Sequence, residues 1–336
     1  MEKNIKVVFT EKSKVELWET EIPEPGPGEV LIKTIVSQIS TGTELTMLEA
    51  NVDSDSNWHK MICFPNYPGY SNVGKVVKIG KDVDESWLGK RVLSVANHEK
   101  YAIRDVELLY PVPEEIDSEE VVFGTVAPVA WASIRTSGIR PGDTVVVYGA
   151  GLIGQLVARF AKIAGAGNIF VTDVSDYRLD MLPDMPAFIK VNTTKEDILD
   201  ALSKYGNKEK ARIVFETTSV PALIEPQLKC LQKLGRLIIT SSPKGKALVD
   251  FDYCSHQGLT IIGAHNWAIH TPIATPYDPW TKAADVMYYL DLVSKKELSL
   301  KSLITHRENY RNAPAVYEML MKDRTQALGV LLVWED

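Results

Sequence analysis

Cysteine is scarce in this sequence, and long apolar runs are missing. The 336 residues include three cysteines: Cys63, Cys230 and Cys254. Three cysteines without a C-x-x-C pair argue against a disulfide framework and a cysteine zinc knuckle, and they suit a reducing compartment. The most apolar stretch, residues 144–171, contains Arg159 and Lys162 and is rich in glycine, so it is not a membrane span.

Excess positive charge and a secretion signal are missing too. The chain carries 37 Lys and Arg against 44 Asp and Glu, a net charge of −7. Such a balance disfavours non-specific binding to nucleic acid or to a membrane surface. The opening MEKNIKVVFTEKSK has no apolar core of signal-peptide length. We therefore expect a cytoplasmic protein that acts on a small-molecule substrate and has no nucleic-acid or membrane partner.

What the sequence does contain indicates two domains of different class. Its length, with 45% hydrophobic and 24% charged residues, suits two ordinary globular domains. The first hundred residues contain short β-runs, such as EVLIKTIVSQ and GYSNVGKVVKIG, separated by Gly/Pro turns. Many short strands of this kind predict a small barrel or sandwich. Residues 48–65 interrupt the pattern and predict a long, polar, mobile loop that carries Trp58 and His59.

From residue 144 onward, β-runs and α-runs alternate. The segments TVVVYG, NIFVTD, AFIKVN and ARIVFETT are strand-like, and each is followed by a segment with helical spacing. Such alternation predicts an α/β domain with a parallel, doubly wound sheet. The pattern further predicts a helix over residues 221–233, strands over 235–242 and 259–265, and two helices and a terminal strand near the end.

A glycine motif lies at the first of these strand–helix turns. Gly149, Gly151 and Gly154 follow the order G-x-G-x-x-G, with a strand before, a helix after and an acidic residue ending the next strand. In that context the first glycine allows a tight turn, the second lets a pyrophosphate approach, and the third lets helix and strand pack closely. The backbone N–H groups of Leu152 and Ile153 would then meet the phosphates. The alternative is a glycine-rich turn in an empty domain.

The acidic residue of this motif predicts which cofactor is bound. Asp173 ends the strand NIFVTD and is followed by valine and serine rather than arginine. A carboxylate there accepts hydrogen bonds from the ribose hydroxyls and repels a 2′-phosphate, so we predict NAD(H) over NADP(H). Arg178 would lie along the ribose, or it would partly restore binding of NADP. Thr217, Ser241 and Ser242 close later strands and are predicted to line the nicotinamide half, unless they are ordinary polar strand ends.

Together, these segments resemble the medium-chain dehydrogenase/reductase superfamily, the relatives of alcohol, sorbitol and threonine dehydrogenases. The resemblance covers nearly the whole chain and rests on PGPGEVLIK, PGYSNVGKVVKIGKDV, RPGDTVVVYGAGLIG, VTDVSDYRLDML and LITHRENYRNAPAVYEML. It implies a GroES-like β-barrel catalytic domain over residues 1–124, a Rossmann NAD-binding domain over 125–265, and a return to the first domain over 266–336. It also implies a cleft between the domains with the nicotinamide at its base, and a homodimer or homotetramer.

The zinc-dependent members of that superfamily carry the motifs G-I-C-G-[TS]-D and P-G-H-E, and both are altered here. ISTGTE places Thr41 where the cysteine ligand belongs and Thr43 where the proton-relay hydroxyl belongs. PGYS replaces the histidine ligand with Tyr70, and the third ligand falls near Gly124 or Thr125. Catalytic zinc takes three protein ligands from Cys, His, Asp and Glu. We therefore predict no zinc or other metal.

Without a metal, the proton of a reacting alcohol needs a positioned side chain. The best catalytic candidates are Tyr70 and Thr43, with Thr43 and Ser40 as relay or orienting groups for Tyr70, and Thr41 is a further candidate. Tyr70 could instead fill the space of the missing metal, and Thr43 could bond its own turn. His265, at the end of the last predicted sheet strand, is a further acid/base candidate, unless it only caps that strand.

Four further residues are candidates for substrate contact: Glu44, Trp58, His59 and Trp267. Glu44 matches the aspartate of the first zinc motif, and its alternative role is a structural acid paired with a basic residue. Trp58 and His59 would cover a substrate if the long loop closes over it, and otherwise lie in a solvated loop. Trp267 belongs to an aromatic loop that is longer than the resemblance requires, which makes it a second candidate wall.

The predicted reaction is oxidation of a secondary alcohol, or reduction of its ketone, with NAD(H). A local resemblance of ISTGTE and YPGYSNVG to the bacteriochlorophyllide dehydrogenases favours it. Polyols, cyclitols, sugars and larger hydroxylated metabolites are all in range as substrates. One alternative is NAD(P)H-dependent reduction of an activated C=C bond or a quinone, as in many zinc-free relatives. The other is a non-catalytic NAD(H)-binding sensor that keeps the fold.

Overall fold

The structure, a computed structural model, describes residues 2–206, 210–265 and 270–335. Its backbone divides into two units, Met1–Val126 with Val286–Asp336, and Ala127–Asp285. The predicted return of the chain at residue 266 lies outside the described residues, so the predicted domain limits stay a prediction. No helix in the described ranges combines the length and the apolar character that a bilayer span requires.

The strands and α-helices of the described residues have the following bounds. The strands are β1 (Asn4–Glu11), β2 (Lys14–Thr20), β3 (Glu29–Ile39), β4 (Asn72–Ile79), β5 (Arg91–Ser94), β6 (Tyr101–Asp105), β7 (Tyr110–Pro111), β8 (Thr144–Tyr148), β9 (Asn168–Asp173), β10 (Phe188–Asn192), β11 (Ala211–Glu216), β12 (Leu231–Ile239), β13 (Thr260–Gly263), β14 (Ile304–Asn309) and β15 (Gly329–Val333). The helices are α1 (Thr43–Glu49), α2 (Asn57–Met61), α3 (Ser118–Val121), α4 (Ala127–Ser137), α5 (Leu152–Ile163), α6 (Asp176–Asp180), α7 (Ile198–Tyr205), α8 (Ile224–Lys229), α9 (Phe251–Gln257), α10 (Lys282–Ser294) and α11 (Ala313–Lys322).

The first unit is built on a mostly antiparallel sheet around β3. The sheet runs β14-β15-β3-β4-β5-β7, with β6 also paired to β3, and β1 and β2 form a separate pair. Aromatic residues fill its core, where Phe9 packs edge-on against Tyr317 with ring centres 5.1 Å apart. Tyr310 stacks on Trp334 at 4.6 Å. These features are those of the predicted β-rich, GroES-like domain.

The second unit contains a parallel sheet in the order β10-β9-β8-β11-β12-β13. Numbered within the unit, this is the order 3-2-1-4-5-6 of a doubly wound dinucleotide-binding fold. Its central strands are continuous apolar runs, as buried parallel strands require, and Val145, Val146 and Val147 are fully buried. The strand order reverses between β8 and β11, and ligands bind at the carboxyl ends of strands beside such a reversal. The predicted Rossmann fold is confirmed.

The segment between β3 and β4 is more ordered than predicted. Helix α1 precedes the loop predicted over residues 48–65 and enters it only at its end, whereas α2 lies wholly within that predicted loop. The Ser56 hydroxyl caps α2 by accepting the His59 N–H at 3.2 Å, and Trp58 turns inward with 8% of its surface exposed. A helix of five residues with one buried side chain is too short to show helical periodicity in the sequence.

Helix α8 ends earlier than predicted because the chain joins the sheet sooner. The predicted helix extended to residue 233, but α8 ends at Lys229. Leu231 already pairs with Ala211 of β11 and is 1% exposed. Sheet pairing thus overrides the helical spacing of the last four residues.

The sequence prediction also missed α9 and β14. Helix α9 has clear end signals in retrospect. The Asp250 carboxylate accepts the Tyr253 N–H at 2.9 Å at its start, and Gly258 follows its last turn with a φ of +62°. These are the cap residues that favour helix ends.

Candidate active site

The glycine turn between β8 and α5 has the shape of a dinucleotide-binding turn. Gly149 adopts a φ of +98°, which favours glycine, and its N–H donates to the Thr172 carbonyl at 2.8 Å. A Cβ at Gly154 would lie 1.8 Å from the Gly149 carbonyl oxygen, so helix and strand approach too closely for any side chain. A Cβ at Gly151 would meet no atom within 4 Å. The turn therefore combines a tight bend, close packing and an open approach at Gly151.

The first turn of α5 supplies hydrogen-bond donors at this turn. The Gln155 N–H bonds back to the Gly151 carbonyl at 2.8 Å. The N–H groups of Leu152 and Ile153 precede the first intrahelical bond and have no partner within the helix. Such donors, together with the positive end of the helix, attract phosphate.

Asp173 lies at the end of β9 and holds the glycine turn from the side. Its Oδ2 accepts the Ala150 N–H at 2.8 Å, and its Oδ1 accepts the Ser175 N–H at 2.9 Å. The Arg178 Nη1 lies 3.9 Å from Oδ2. Because each carboxylate oxygen has two lone pairs, both keep acceptor capacity for ribose hydroxyls. The Asp173 carboxylate is thus fixed in place and can still accept hydrogen bonds from a ligand.

The remaining predicted cofactor residues lie at the carboxyl ends of β11 and β12. The Thr217 hydroxyl donates to the Tyr148 carbonyl at 2.6 Å, which ties the end of β11 to the end of β8. The Ser241 N–H donates to the Glu216 carbonyl at 3.0 Å. Ser242 follows and is partly buried. These residues therefore stand beside the reversal in strand order.

In the first unit, the structure brings together the hydroxyls that the sequence singled out. The Tyr70 hydroxyl donates to the Ser40 Oγ at 2.6 Å. Burial raises the pKa of the Tyr70 phenol above its ordinary value, and this outweighs the lowering by its hydrogen bonds to Ser40 and Thr43. Tyr70 is therefore a neutral phenol at physiological pH. Thr41 lies beside this cluster, and its carbonyl accepts from the Arg324 Nη1 at 3.4 Å.

Beneath the hydroxyls lies Glu44, which is 1% exposed. Its Oε1 accepts the Ser40 N–H at 2.9 Å. Its Oε2 accepts the Tyr317 hydroxyl and lies 3.1 Å from the His98 Nε2. Because the carboxylate is enclosed by its own partners, the structure favours a structural role for Glu44 over the predicted substrate contact.

His98 is held as firmly as Glu44. Its Nδ1 lies 2.8 Å from the Ser37 Oγ, which also accepts the Trp334 indole N–H at 2.8 Å. A Cβ at Gly69 would lie 2.5 Å from the His98 backbone nitrogen, so only glycine fits there. Sequence reasoning did not connect Glu44 with His98 or Tyr317, which lie 54 and 273 residues further along the chain. No local pattern signals contacts of that range.

The positions that correspond to zinc ligands do not suit zinc. Thr41 and Tyr70 offer neutral hydroxyls, and the Tyr70 hydroxyl is engaged with Ser40. At Gly124, a Cβ would lie 2.6 Å from the Leu93 Cδ2, so a ligand side chain there would require the buried Leu93 side chain to move.

At the neighbouring position, the Thr125 hydroxyl is already hydrogen-bonded to another side chain. Its hydroxyl donates to the Ser71 Oγ at 2.6 Å, and the Ser71 hydroxyl donates to the Val122 carbonyl. Within residues 2–206, 210–265 and 270–335, no three His, Cys, Asp or Glu side chains are grouped as metal ligands. The donor chemistry present does not fit a catalytic zinc ion.

The other predicted site residues are scattered or outside the described ranges. Trp58 is buried in α2, and the His59 side chain beside it is exposed. His265 follows β13 and is exposed. Trp267 lies outside the described residues, so its predicted contact with substrate stays a prediction.

Sequence comparison relates this chain to known dehydrogenases. The Zinc-binding dehydrogenase family matches residues 153–273. The L-threonine 3-dehydrogenase of Escherichia fergusonii is 25% identical over 357 aligned positions, which cover 96% of this chain and 98% of that protein.

Solved structures share the fold over the full length. The 2R,3R-butanediol dehydrogenase of Bacillus subtilis has a TM-score of 0.82 at 20% identity, covering 99% of this chain and 100% of that one. A short chain alcohol dehydrogenase of Escherichia coli CFT073 in complex with NADH scores 0.81 at 18% identity, covering 99% of each chain. A zinc-binding dehydrogenase of Sinorhizobium meliloti 1021 bound to NADP scores 0.80 at 17%, covering 99% of this chain and 100% of that one. At these identities the likeness establishes the fold alone.

Two glycine substitutions should have separable effects. Gly154→Ala pushes a methyl group into the Gly149 carbonyl and should lower the midpoint of thermal unfolding by at least about 2–4 °C. Gly151 has a φ of −66° and open space around it, so Gly151→Ala should leave that midpoint unchanged and weaken NADH binding. Calorimetry and NADH titration measure both effects. A normal midpoint for Gly154→Ala, or unchanged NADH affinity for Gly151→Ala, would contradict these roles.

Proposed function

We propose that this chain is an oxidoreductase of the medium-chain dehydrogenase/reductase type. In this proposal it interconverts a secondary alcohol and its ketone with NAD(H) and without a metal. The observation that carries the proposal is the hydroxyl cluster of Tyr70, Ser40 and Thr43. In zinc-dependent members of the superfamily, the position of Tyr70 carries a zinc ligand and the position of Thr43 carries the proton-relay hydroxyl. Hydroxyls can donate and accept protons, but they are poor zinc ligands.

The cofactor part of the proposal rests on the second unit. The turn at Gly149, Gly151 and Gly154 would hold the pyrophosphate, and Asp173 would hold the ribose. When bound, the nicotinamide accepts or returns the hydride. NAD is proposed over NADP because the Asp173 carboxylate would repel a 2′-phosphate. Since solved neighbours include both an NADH and an NADP complex, the preference rests on Asp173 of this chain and not on likeness.

The proton part of the proposal rests on the first unit. In ketone reduction, the Tyr70 phenol or the Thr43 hydroxyl would donate a proton to the carbonyl oxygen as hydride arrives at its carbon. The donor would take a replacement proton from the next hydroxyl, and that hydroxyl would take one from solvent. In alcohol oxidation, the same hydroxyl would accept the substrate proton while passing its own to the next hydroxyl. The Tyr70–Ser40 hydrogen bond supports such a relay because it already joins two of the hydroxyls. The proton then leaves to solvent without an ionised side chain forming.

The substrate class is proposed from the chemistry of the named relatives. L-threonine at its C3 and 2R,3R-butanediol are both secondary alcohols. This supports alcohol–ketone interconversion over reduction of a C=C bond or a quinone. Polyols, cyclitols, sugars and larger hydroxylated metabolites all remain candidate substrates.

A substrate panel tests the proposal most simply. NADH absorbance would be followed with secondary alcohols and ketones, and in parallel with a quinone and an α,β-unsaturated ketone. We expect turnover with at least one alcohol–ketone pair. Turnover with the quinone or enone alone would favour a C=C or quinone reductase. Tight NADH binding without turnover of any compound would favour a sensor.

Replacing Asp173 should narrow the preference for NAD. Asp173→Ala removes the charge that would face a 2′-phosphate, so the ratio of kcat/KM for NAD to that for NADP should fall by about tenfold or more. The exposed neighbour Asp180 provides a control, since its side chain is 75% exposed and Asp180→Ala should leave the ratio unchanged. A wild-type protein that already prefers NADP would sink this prediction.

Removing the cluster hydroxyls should slow the chemical step. Tyr70→Phe and Thr43→Val should each lower kcat by about 10²–10⁴ with little change in NADH affinity, because a positioned proton donor is lost. Burial raises the pKa of Tyr70 above its ordinary value of 10.0, so ketone reduction through Tyr70 should decline only as pH rises through that higher value.

The matched control is Tyr67→Phe, since Tyr67 is 42% exposed and outside the cluster. Its kcat should equal that of the wild type. A kcat for Tyr70→Phe and Thr43→Val within twofold of the wild type would exclude the hydroxyl relay.

A further inference from the structure

The carboxylate of Glu216 has no role in the proposed chemistry, yet it is completely buried at the centre of the second unit. Glu216 is the last residue of β11 and is 0% exposed. It pairs with Tyr148, the last residue of β8, where the strand order reverses. A buried charge at the place where a ligand binds needs an explanation, because burial of an unpaired carboxylate is costly.

The carboxylate is surrounded by donors from two different loops. Its Oε1 accepts the N–H groups of Thr218 at 2.6 Å and Ser219 at 3.0 Å, and also the Thr218 hydroxyl. Its Oε2 accepts the Ser241 hydroxyl from the end of β12. The Glu216 carbonyl accepts the N–H groups of Thr240 and Ser241, both at 3.0 Å. One residue thus ties together the loops that follow β11 and β12.

The loop after β11 has a conformation that needs this support. Ser219 has a φ of +63°, a left-handed value that is uncommon for a residue other than glycine. Its N–H is one of the three donors on Oε1. Without the carboxylate, the Thr218 and Ser219 N–H groups would lose their shared acceptor, and the loop would relax toward ordinary backbone angles.

The same loop touches the glycine turn. The Thr217 hydroxyl donates to the Gly149 carbonyl at 3.2 Å, and a Cβ at Gly149 would lie 3.0 Å from the Thr217 Oγ1. On its other side the glycine turn is held independently, since Asp173 accepts the Ala150 N–H at 2.8 Å. Loss of the carboxylate would therefore disturb the loops on the β11–β12 side and leave the Asp173 side in place.

We propose that Glu216 is a positioning residue that sets the affinity for the nicotinamide half of the cofactor by fixing the loops after β11 and β12. The inference rests on the proposed function, because it presumes that NAD(H) binds at this turn. It assigns to Glu216 an effect on nicotinamide binding that is separate from binding of the ADP-ribose half.

The test compares NADH with ADP-ribose, which lacks the nicotinamide. Both would be titrated into the full chain by calorimetry, for the wild type, Glu216→Ala and Glu216→Gln. For Glu216→Ala we expect the Kd of NADH to rise about tenfold or more, and that of ADP-ribose to change less than about twofold. Glu216→Gln keeps one oxygen for Thr218 and Ser219, so it should recover most of the NADH affinity.

Two further variants keep the outcome decisive if Glu216→Ala does not fold. Thr218→Val removes one donor to Oε1 with little change in shape and should show the same selective loss of NADH affinity at smaller size. The exposed residue Glu225 gives a control, and Glu225→Gln should bind both ligands as the wild type does. Equal losses of affinity for NADH and ADP-ribose would overturn the inference. If Glu216→Ala is unfolded, an unchanged NADH affinity in Thr218→Val would overturn it. A wild type that binds neither NADH nor NADPH would instead refute the proposed function.

Discussion

A carboxylate buried in a protein must be surrounded by hydrogen-bond donors, and Glu44 imposes this requirement on the first unit. Its partners are the Ser40 N–H, the Tyr317 hydroxyl and the His98 ring. They come from the end of β3, from α11 and from the loop before β6, so one charge joins three distant parts of the chain. Because breaking the buried contact between Glu44 and His98 would cost free energy of folding, these three parts of the chain are held in one arrangement. Ser40 is held in place by its N–H bond to Glu44, and Tyr70 is held in turn by its hydrogen bond to Ser40.

The same requirement recurs in the second unit, where acids stand at strand ends. Asp173 holds the glycine turn through the Ala150 N–H, and Glu216 holds the loops after β11 and β12. In both units these acids bind backbone and side-chain donors, and none of them is proposed as a reactive group. They provide a rigid frame, and the groups proposed to do the chemistry are the neutral hydroxyls that the frame positions.

Many features set by local sequence were predicted, although α9 was missed, and features set by distant contacts were not predicted. The parallel, doubly wound sheet and the turn at Gly149 were predicted from strand–helix alternation and a six-residue motif. The C-terminal end of α8 depends on pairing between Leu231 and Ala211, which the helical spacing could not reveal. The partners of Glu44 were equally hidden, since Tyr317 lies 273 residues away. Residue-level roles of Thr43, Tyr70 and Asp173 stay predictions that the fold is compatible with.

We propose that this chain moves a proton with hydroxyls at the positions where zinc-dependent members of the superfamily carry their metal ligands. The most direct test is the metal content of the purified, active protein, measured together with turnover before and after extensive dialysis against a chelator. We expect zinc far below one ion per chain and unchanged turnover after dialysis. Close to one zinc ion per chain, with activity lost on chelation and restored by added zinc, would contradict it.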